Sequence, residues 1–405
     1  MSDCVRYSGP LSPQSVAERP TIVVSVTHPQ TCLVLGGRLR ALRQAGFRVV
    51  LVSSPGELLE STAAREGAEV VAIAMRRGIA PLADLVSFVR LVRLLRRIAP
   101  DALECSTPKA GLLGMLAGLL CRVPRRVYML RGLRLETAHG WLRWVLLGCE
   151  RLAVACAGTV LCNSESLRAR ALALGVAPES KLRLLGEGSS DGVDMERFSP
   201  GASDVRERLG LPSGAPVVGF VGRLTRDKGL PELIEAFDQI LCAEPETWLL
   251  LVGWFDASED ALDEALRSRI LRHPQIHLTG FVDATEPYYR AMDVMVLPTW
   301  REGFPNVVLE ASATGIPVVT TICTGSRDSV VPEVTGLLIP PGYPEAICEA
   351  VLKLLRDPER RQRMGQAARA WVREHYLDER VQGLTAAYYQ ELIKPVSAWG
   401  PVVAG

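Results

Sequence analysis

Short apolar segments typical of β-strands alternate with helical patterns along most of this 405-residue chain. In the first half, the sequence predicts strands at 21–27, 47–53, 70–74, 103–106, 127–130 and 159–162. A second series is predicted at 216–224, 248–252, 276–280, 294–298, 317–320 and 336–339. Strands that alternate with helices favour parallel sheets covered by helices on both faces. The chain is therefore predicted to be an α/β protein with two such sheets.

The two series are separated by residues 186–194, a stretch rich in Gly, Ser and Asp that predicts a linker. Gly186, Gly188 and Asp191 partly match a dinucleotide-binding fingerprint, but the third glycine is missing. The predicted organisation is a disordered lead-in over 1–19, two doubly wound Rossmann-like domains at 20–190 and 191–380, and a C-terminal helix and tail at 381–405. That tail is expected to pack back on the first domain. Ligands of such sheets bind beyond the carboxyl ends of strands, so a cleft between the domains is expected.

The near-neutral net charge conceals a division between the halves of the chain. Residues 1–190 contain 25 Lys and Arg against 14 Asp and Glu, a balance of +11, and the remainder contains 21 against 31, a balance of −10. A basic half favours an anionic partner, and the absence of a nucleic-acid module favours a membrane surface or a phosphate. Residues 82–98, with Arg90, Arg93 and Arg97 at helical spacing, predict either a membrane-surface helix or a crossover helix with a solvated basic face.

The ten cysteines and the longest apolar run indicate in which compartment of the cell the protein is expected. The cysteines show no C-x-x-C pair, which is typical of thiols buried in a protein of the reducing cytoplasm. The longest apolar run, residues 110–121, is too short to span a bilayer. A cytoplasmic protein is expected.

Two carboxylates, Glu302 and Glu310, lie eight positions apart in the run REGFPNVVLE. Pro305 suits the first turn of a helix, and Gly315 predicts its end. Glu302 would then lie in the loop before the helix and Glu310 inside it, while the free amides near 304–307 would face an anion. The alternatives are a carboxylate that stabilises its helix start and an exposed helical glutamate.

A basic loop, GRLTRDKG at residues 222–229, follows a predicted strand and precedes a predicted helix. Arg223 and Lys228 in this loop are suited to binding a diphosphate, or else form a solvated pair at a helix start. Transfer of a sugar from a nucleotide diphosphate builds charge on the leaving oxygen, which fixed cations stabilise. The chain contains no D-x-D motif, so these cations are favoured over a metal ion.

The loop at 222–229, the run at 301–310 and the Gly-rich linker together resemble the retaining family 4 glycosyltransferases of the GT-B fold, over about residues 20–390. The resemblance implies that Arg223, Lys228 and Gly222 hold the donor diphosphate. It also implies that Glu302 contacts the hydroxyls of the donor sugar and that Glu310 binds the ribose. The backbone that would face the phosphates belongs to Phe304, Pro305, Asn306 and Val307. No cofactor and no metal are implied.

Candidate residues in the first half are less specific. Gly36 and Gly37 would allow the backbone to approach a diphosphate, or are turn glycines. Lys109 is a candidate for the cleft or a surface lysine at a helix start, and His28 would line the cleft or cap a turn. Arg131 stands where many relatives have a histidine that faces the reacting centre. Arginine does not deprotonate, so it cannot act there as a general base.

The resemblance implies retaining transfer from a nucleotide diphosphate sugar, with UDP as the favoured nucleotide and an N-acetylhexosamine as a candidate sugar. The acceptor would be polyprenyl-diphosphate-linked or a saccharide, in bacterial cell-surface polysaccharide or glycan synthesis. The basic first domain, 20–190, is expected to bind the acceptor, and the second domain, 191–380, is expected to bind the nucleotide-sugar donor. The enzyme is expected at the inner face of the cell membrane. A nucleotide-sugar 2-epimerase of the same shape, and a non-catalytic donor-binding component of an assembly complex, are the alternatives.

Overall fold

The computed structural model describes residues 19–76, 78–189, 191–257 and 260–394. Its strands are β1 Thr21–Ser25, β2 Arg48–Ser53, β3 Glu69–Ala72, β4 Ala102–Ser106, β5 Arg125–Leu130, β6 Thr159–Cys162, β7 Leu182–Leu184, β8 Val217–Val221, β9 Trp248–Val252, β10 Ile276–Leu278, β11 Val294–Leu297, β12 Val318–Thr321 and β13 Gly336–Ile339. Its α-helices are α1 Arg38–Gln44, α2 Glu57–Glu66, α3 Pro81–Ile98, α4 Pro108–Leu120, α5 Gly140–Cys156, α6 Glu165–Ala173, α7 Val205–Arg208, α8 Leu230–Ala243, α9 Glu264–Arg272, α10 Glu286–Tyr289, α11 Asn306–Ala313, α12 Pro344–Leu355, α13 Pro358–His375 and α14 Asp378–Ile393.

The strands form two sheets with the same winding. The first has the order β3-β2-β1-β4-β5-β6-β7, and the second has the order β10-β9-β8-β11-β12-β13. β1 pairs in parallel with β2 and β4, and β8 pairs in parallel with β9 and β11. The strand order therefore reverses between β1 and β4 and again between β8 and β11. In doubly wound sheets, ligands bind beyond the carboxyl ends of strands at such points.

The predicted α/β class and the two Rossmann-like sheets are confirmed. Each strand named from the sequence is present, with ends that differ by three residues or fewer. The structure also contains one strand that the sequence analysis did not predict, β7. This strand has three residues, of which only Leu182 is buried, so it has no alternation long enough to recognise.

By its internal contacts the described chain divides into two compact units. Among the described residues, the first unit consists of those up to 129, of 149–161 and of those from 382 onward, and the second consists of those in 130–148 and 162–381. Fully buried Val217, Val218 and Phe220 of β8 belong to the core of the second unit, together with Leu249–Val252 of β9. The division at residue 190 into an N-terminal and a C-terminal domain stays a prediction.

The first unit contains a buried polar cluster that joins three distant parts of the chain. Arg38 of α1 donates to Glu104 of β4 at 2.6 Å, and both side chains are almost fully buried. Tyr389 of α14 also donates to Glu104, and Thr385 bonds Arg38 at 3.2 Å. Because an unpaired buried charge is costly, these contacts tie the last helix to the first sheet.

Residues 1–18 of the predicted lead-in lie outside the described residues. Of the nine described cysteines, five are buried as expected, three are half-buried and Cys242 is exposed. No helix in the described part of the chain is both long enough and apolar enough to cross a bilayer.

Candidate functional site

The Arg223/Lys228 loop and the Glu302 loop meet because their strands are neighbours. The first loop follows β8 and the second follows β11, and these strands pair in parallel at the point where the second sheet reverses its order. The carboxyl ends of parallel neighbours lie at one edge of the sheet, so residues 74 positions apart, Lys228 and Glu302, come into contact there.

The loop after β8 contains an arginine that is held by an acidic side chain. Gly222 leaves the strand with φ +147°, a conformation that favours glycine. Nη1 of Arg223 lies 3.0 Å from Oδ2 of the buried Asp256. Residues 226–228 form a 3₁₀ turn, and Gly229, with φ +75°, is the N-cap residue that precedes α8. The position of Arg223 is thus fixed by Asp256, a partner that the sequence did not suggest.

Asp227 joins this loop to the segment after β11. Its Oδ2 accepts from Arg301 at 3.0 Å, its Oδ1 accepts from Thr225 at 2.6 Å, and its carbonyl oxygen accepts from the backbone of Trp300 at 2.9 Å. Burial raises the pKa of Asp227, but the Lys228 and Arg301 cations outweigh burial and hold this pKa below its ordinary value. Sequence reasoning missed Asp227 because an acid beside a lysine is typical of a solvated turn.

Helix α11 begins at Asn306, one residue later than the sequence predicted. Pro305 is the N-cap residue, with φ −83° and ψ 102°, so its extended backbone places it before the first turn. The predicted end is confirmed, since Thr314 is the C-cap and Gly315 follows with φ +83°. Among the described residues no side chain caps the start of α11. The amides at this helix start therefore remain suited to an anion.

Glu302 lies in the loop before α11, as predicted, and forms an ion pair with Nζ of Lys228. Its backbone amide donates to the carbonyl oxygen of Thr324 at 3.1 Å. Both side chains of the pair are mostly buried. The structure thus brings together one of the two predicted cations and the first of the two predicted carboxylates.

Glu310 lies in α11 and accepts a hydrogen bond from the buried Tyr289 hydroxyl at 2.7 Å. Burial raises the pKa of Glu310 above its ordinary value, and the bond from Tyr289 opposes that rise. This tyrosine gives the Glu310 carboxylate a hydrogen-bond donor within the second unit. Tyr289 gave no sequence signal because it lies 21 residues away in a short helix.

Arg131 follows β5 and lies close to the first residues of α11, and both belong to the second unit. Its Nη1 is 4.0 Å from Oδ2 of Asp191, and Asn306 donates to the same oxygen at 3.5 Å. A Cβ at Gly303 would lie 2.3 Å from the carbonyl oxygen of Arg131, so only glycine allows the two backbones to approach this closely. Part of the predicted linker therefore packs against the helix start, together with the arginine at the family's histidine position.

The first-unit candidates have partners of their own. Nδ1 of His28 accepts from the amide of Gln30 at 3.3 Å, so this histidine caps the turn after β1. The amide of Gly37, which follows Gly36, donates to the buried Glu66 carboxylate at 3.0 Å. Lys109 lies at the start of α4, where it bonds Asp84 of α3 at 2.7 Å and the carbonyl oxygen of Gly78. These contacts give each of the three residues a structural role.

Family models match both halves of the chain. The glycosyl transferases group 1 model matches residues 202–371, and the glycosyl transferase 4-like domain model matches residues 34–188. The chain is 34% identical over 370 residues to the capsular polysaccharide biosynthesis glycosyltransferase CapM of Staphylococcus aureus, which covers 91% of this chain and 96% of the relative. The chain belongs to the family 4 glycosyltransferases. It is an enzyme of the glycosyltransferase class, as predicted.

Two further proteins show the breadth of this similarity. The chain is 28% identical over 293 residues to the UDP-Gal:alpha-D-GlcNAc-diphosphoundecaprenol alpha-1,3-galactosyltransferase of Escherichia coli, covering 69% of this chain and 73% of the relative. The crystal structure of Anabaena Alr3699/HepE in complex with UDP-glucose matches with a TM-score of 0.76 at 20% identity, covering 91% of this chain and 99% of that chain. The second match supports the GT-B fold.

Proposed function

We propose that this glycosyltransferase moves a sugar, with retention, from a UDP-linked donor to a polyprenyl-diphosphate-linked or saccharide acceptor of bacterial surface polysaccharide synthesis. An N-acetylhexosamine is the candidate sugar. The observation that carries the proposal is the ion pair of Lys228 with Glu302, beside Arg223 and before the uncapped start of α11. The names of the CapM and galactosyltransferase relatives support the acceptor class. The family assignment favours transfer over 2-epimerisation.

In this proposal, Arg223 and Lys228 bind the donor diphosphate, with the backbone of Gly222 and residues 304–307 beside it. Glu302 binds the hydroxyls of the donor sugar, and Glu310, already oriented by Tyr289, binds the ribose. Arg131 provides a further cation near the start of α11. In this proposal the cationic side chains neutralise the charge of the phosphates, so no metal ion is needed for that purpose.

The bond between the anomeric carbon and the phosphate oxygen breaks through an oxocarbenium-like state. As it breaks, negative charge develops on the leaving oxygen, and cations already in position lower the barrier. The leaving phosphate takes the proton of the acceptor hydroxyl, which attacks the same face of the sugar. This route needs no protein nucleophile and is consistent with an arginine at position 131.

A lipid-linked acceptor would require the enzyme to work at the cytoplasmic face of the membrane. On the outward face of α3 the exposed apolar residues Leu82, Leu85, Val86 and Val89 precede the exposed arginines at 93 and 96. An apolar stripe followed by cations suits an anionic leaflet. We assign α3 as a contact of the enzyme with that surface.

The decisive experiment supplies a panel of nucleotide sugars with polyprenyl-diphosphate-linked and free saccharide acceptors and identifies the products by mass spectrometry. One donor and acceptor pair should give a product, and Glu302→Ala should abolish it while the protein keeps its circular dichroism spectrum. Donor binding without product in any combination would instead indicate the non-catalytic component. Normal turnover by Glu302→Ala would remove the role given to this residue.

The membrane contact of α3 has its own test. The double variant Arg93→Glu, Arg96→Glu should sediment less with vesicles that contain phosphatidylglycerol, because two exposed cations become anions. Replacing Arg267 and Arg272 of α9 by Glu makes the same charge change elsewhere and should have a smaller effect. Equal sedimentation of the α3 variant and the native enzyme would make α3 an ordinary crossover helix.

A further inference from the structure

The first half of α5 exposes two tryptophans and a valine on one face. Trp141 is 72% exposed, Trp144 is 73% exposed and Val145 is 41% exposed. They lie three and four positions apart, which places them on one side of the helix. Large aromatic side chains are rarely left in water at this level, because burying each one stabilises a protein or a complex substantially.

The two halves of α5 differ in burial. The buried residues of this helix are Glu150, Ala153, Val154 and Cys156, which all lie in its second half. Glu150 is held there by the Tyr128 hydroxyl at 2.8 Å. None of residues 140–148, all of them described, is buried. The second half thus fixes the helix to the first unit, while the first two turns present an apolar face that contacts little.

The charge around this face suits a lipid surface. Between Glu136 and Glu150 the sequence contains no acidic residue, and the exposed Arg143 lies between the two tryptophans. Tryptophan prefers the boundary between headgroups and acyl chains, where its ring is buried and its N–H remains near water. Arginine beside it can reach the phosphates of anionic lipids.

We propose that residues 140–148 form an interfacial anchor that inserts Trp141, Trp144 and Val145 into the headgroup region of an anionic bilayer. This inference rests on the proposed function for its purpose, since it brings the enzyme to a lipid-linked acceptor, but its physical basis is separate. The arginines of α3 act through charge, so their contribution to the membrane contact weakens with salt. Insertion of the α5 face depends on apolar burial and persists at high salt.

The test measures vesicle binding by the full chain in 0.1 M and 0.5 M NaCl, with vesicles of phosphatidylcholine and phosphatidylglycerol. The double variant Trp141→Ser, Trp144→Ser should partition at least about tenfold more weakly in 0.5 M NaCl. Leu271→Ser removes a similarly exposed apolar side chain from α9 and is the control. The pair Trp141→Phe, Trp144→Phe should recover most of the binding. Unchanged partition of the serine variant would overturn the proposal.

Two further readouts separate the possible explanations. If the native enzyme is a dimer in lipid-free buffer and the serine variant is a monomer, the face binds a second copy and the proposal is wrong. Transfer to a water-soluble acceptor without vesicles should be equal in the native enzyme and the serine variant. If the native enzyme transfers no sugar at all but still needs the tryptophans to bind vesicles, the proposed function fails and the anchor stands.

Discussion

The two members of the Lys228–Glu302 pair are proposed to contact different parts of one donor. Lys228 would meet the diphosphate, and Glu302 would meet hydroxyls of the sugar. Because Glu302 contacts the lysine directly, it also reduces the positive charge that a diphosphate encounters. Binding of the nucleotide and transfer of the sugar should therefore respond in opposite directions when this carboxylate is neutralised.

We expect Glu302→Gln to lower turnover by about 10²- to 10³-fold while UDP binds at least as tightly as in the native enzyme. Lys228→Met should weaken UDP binding by about tenfold or more, because a charged contact to the diphosphate is lost. Arg226→Met removes an exposed cation of the same turn, paired with Asp263, and should change UDP affinity little. Isothermal titration calorimetry and initial rates provide the measurements, and weaker UDP binding by Glu302→Gln would contradict this account.

For individual residues, the sequence predicted which side chains the candidate site contains but not which side chains they contact. Glu302, Lys228 and Glu310 were found because they belong to recognisable spacings. Asp256 and Tyr289 were not, because each lies more than 20 residues from the side chain it contacts and belongs to no motif. Such pairs become visible only when neighbouring strands fix which loops meet.

The contact between α5 and β5 is held by a buried carboxyl group. Glu150 accepts from Tyr128 at 2.8 Å and is almost fully buried. Burial raises the pKa of Glu150 to about 7, against the opposing effect of the Tyr128 hydrogen bond. A carboxyl whose pKa is higher in the folded state stabilises the fold below about pH 4.5, and this contribution is lost as the pH rises through about 7.

The free energy of unfolding should therefore fall by about 3 kcal/mol between pH 4.5 and pH 8 through this group. Glu150→Gln keeps an acceptor for Tyr128 and has no charge, so its stability relative to the native enzyme should increase over the same range. Urea denaturation at pH 5, 6, 7 and 8 measures the difference. Glu179→Gln, at an exposed position, should show no such trend, and a constant difference for Glu150→Gln would rule out this effect.

Elements were predicted well wherever an apolar run is long and bounded by turn residues. The limits of β6, β9 and β13 match the predicted ranges, and α3 begins one residue before its predicted start. Pro305 was placed one position too far into its helix, because the restricted φ of proline is compatible with the extended N-cap as well as with the first turn. A proline alone therefore cannot distinguish these two positions.

Over the whole molecule, the chain passes from one compact unit to the other four times, after residues 129, 148, 161 and 381. Both α5 and α14 contain residues of each unit. The alternation of strands and helices predicted two sheets but contained no information about these crossings, since they depend on contacts between distant segments. The buried Arg38–Glu104 pair depends on one of them, because Tyr389 is supplied by the last helix.

We expect Tyr389→Phe to lower the free energy of unfolding by about 1–3 kcal/mol, because a buried carboxylate loses a hydrogen-bond donor. The affinity for UDP should not change, since the residues proposed to bind it lie in the second unit. Chemical denaturation followed by circular dichroism measures stability, and calorimetry measures affinity. The exposed Tyr343→Phe provides the control. Equal stability of both variants would show that Tyr389 does not support the pair.

The dependence of Glu104 on the last helix limits how this enzyme can be recombined with its relatives. A chimera joined only near residue 190 would combine Arg38 and Glu104 of one parent with the α14 residues of another. Residues 385 and 389 would then have to suit a partner with which they did not evolve. The first unit is thus discontinuous in sequence, and a chimera that exchanges it should also carry a junction near residue 381, so that Arg38, Glu104 and the α14 residues come from one parent.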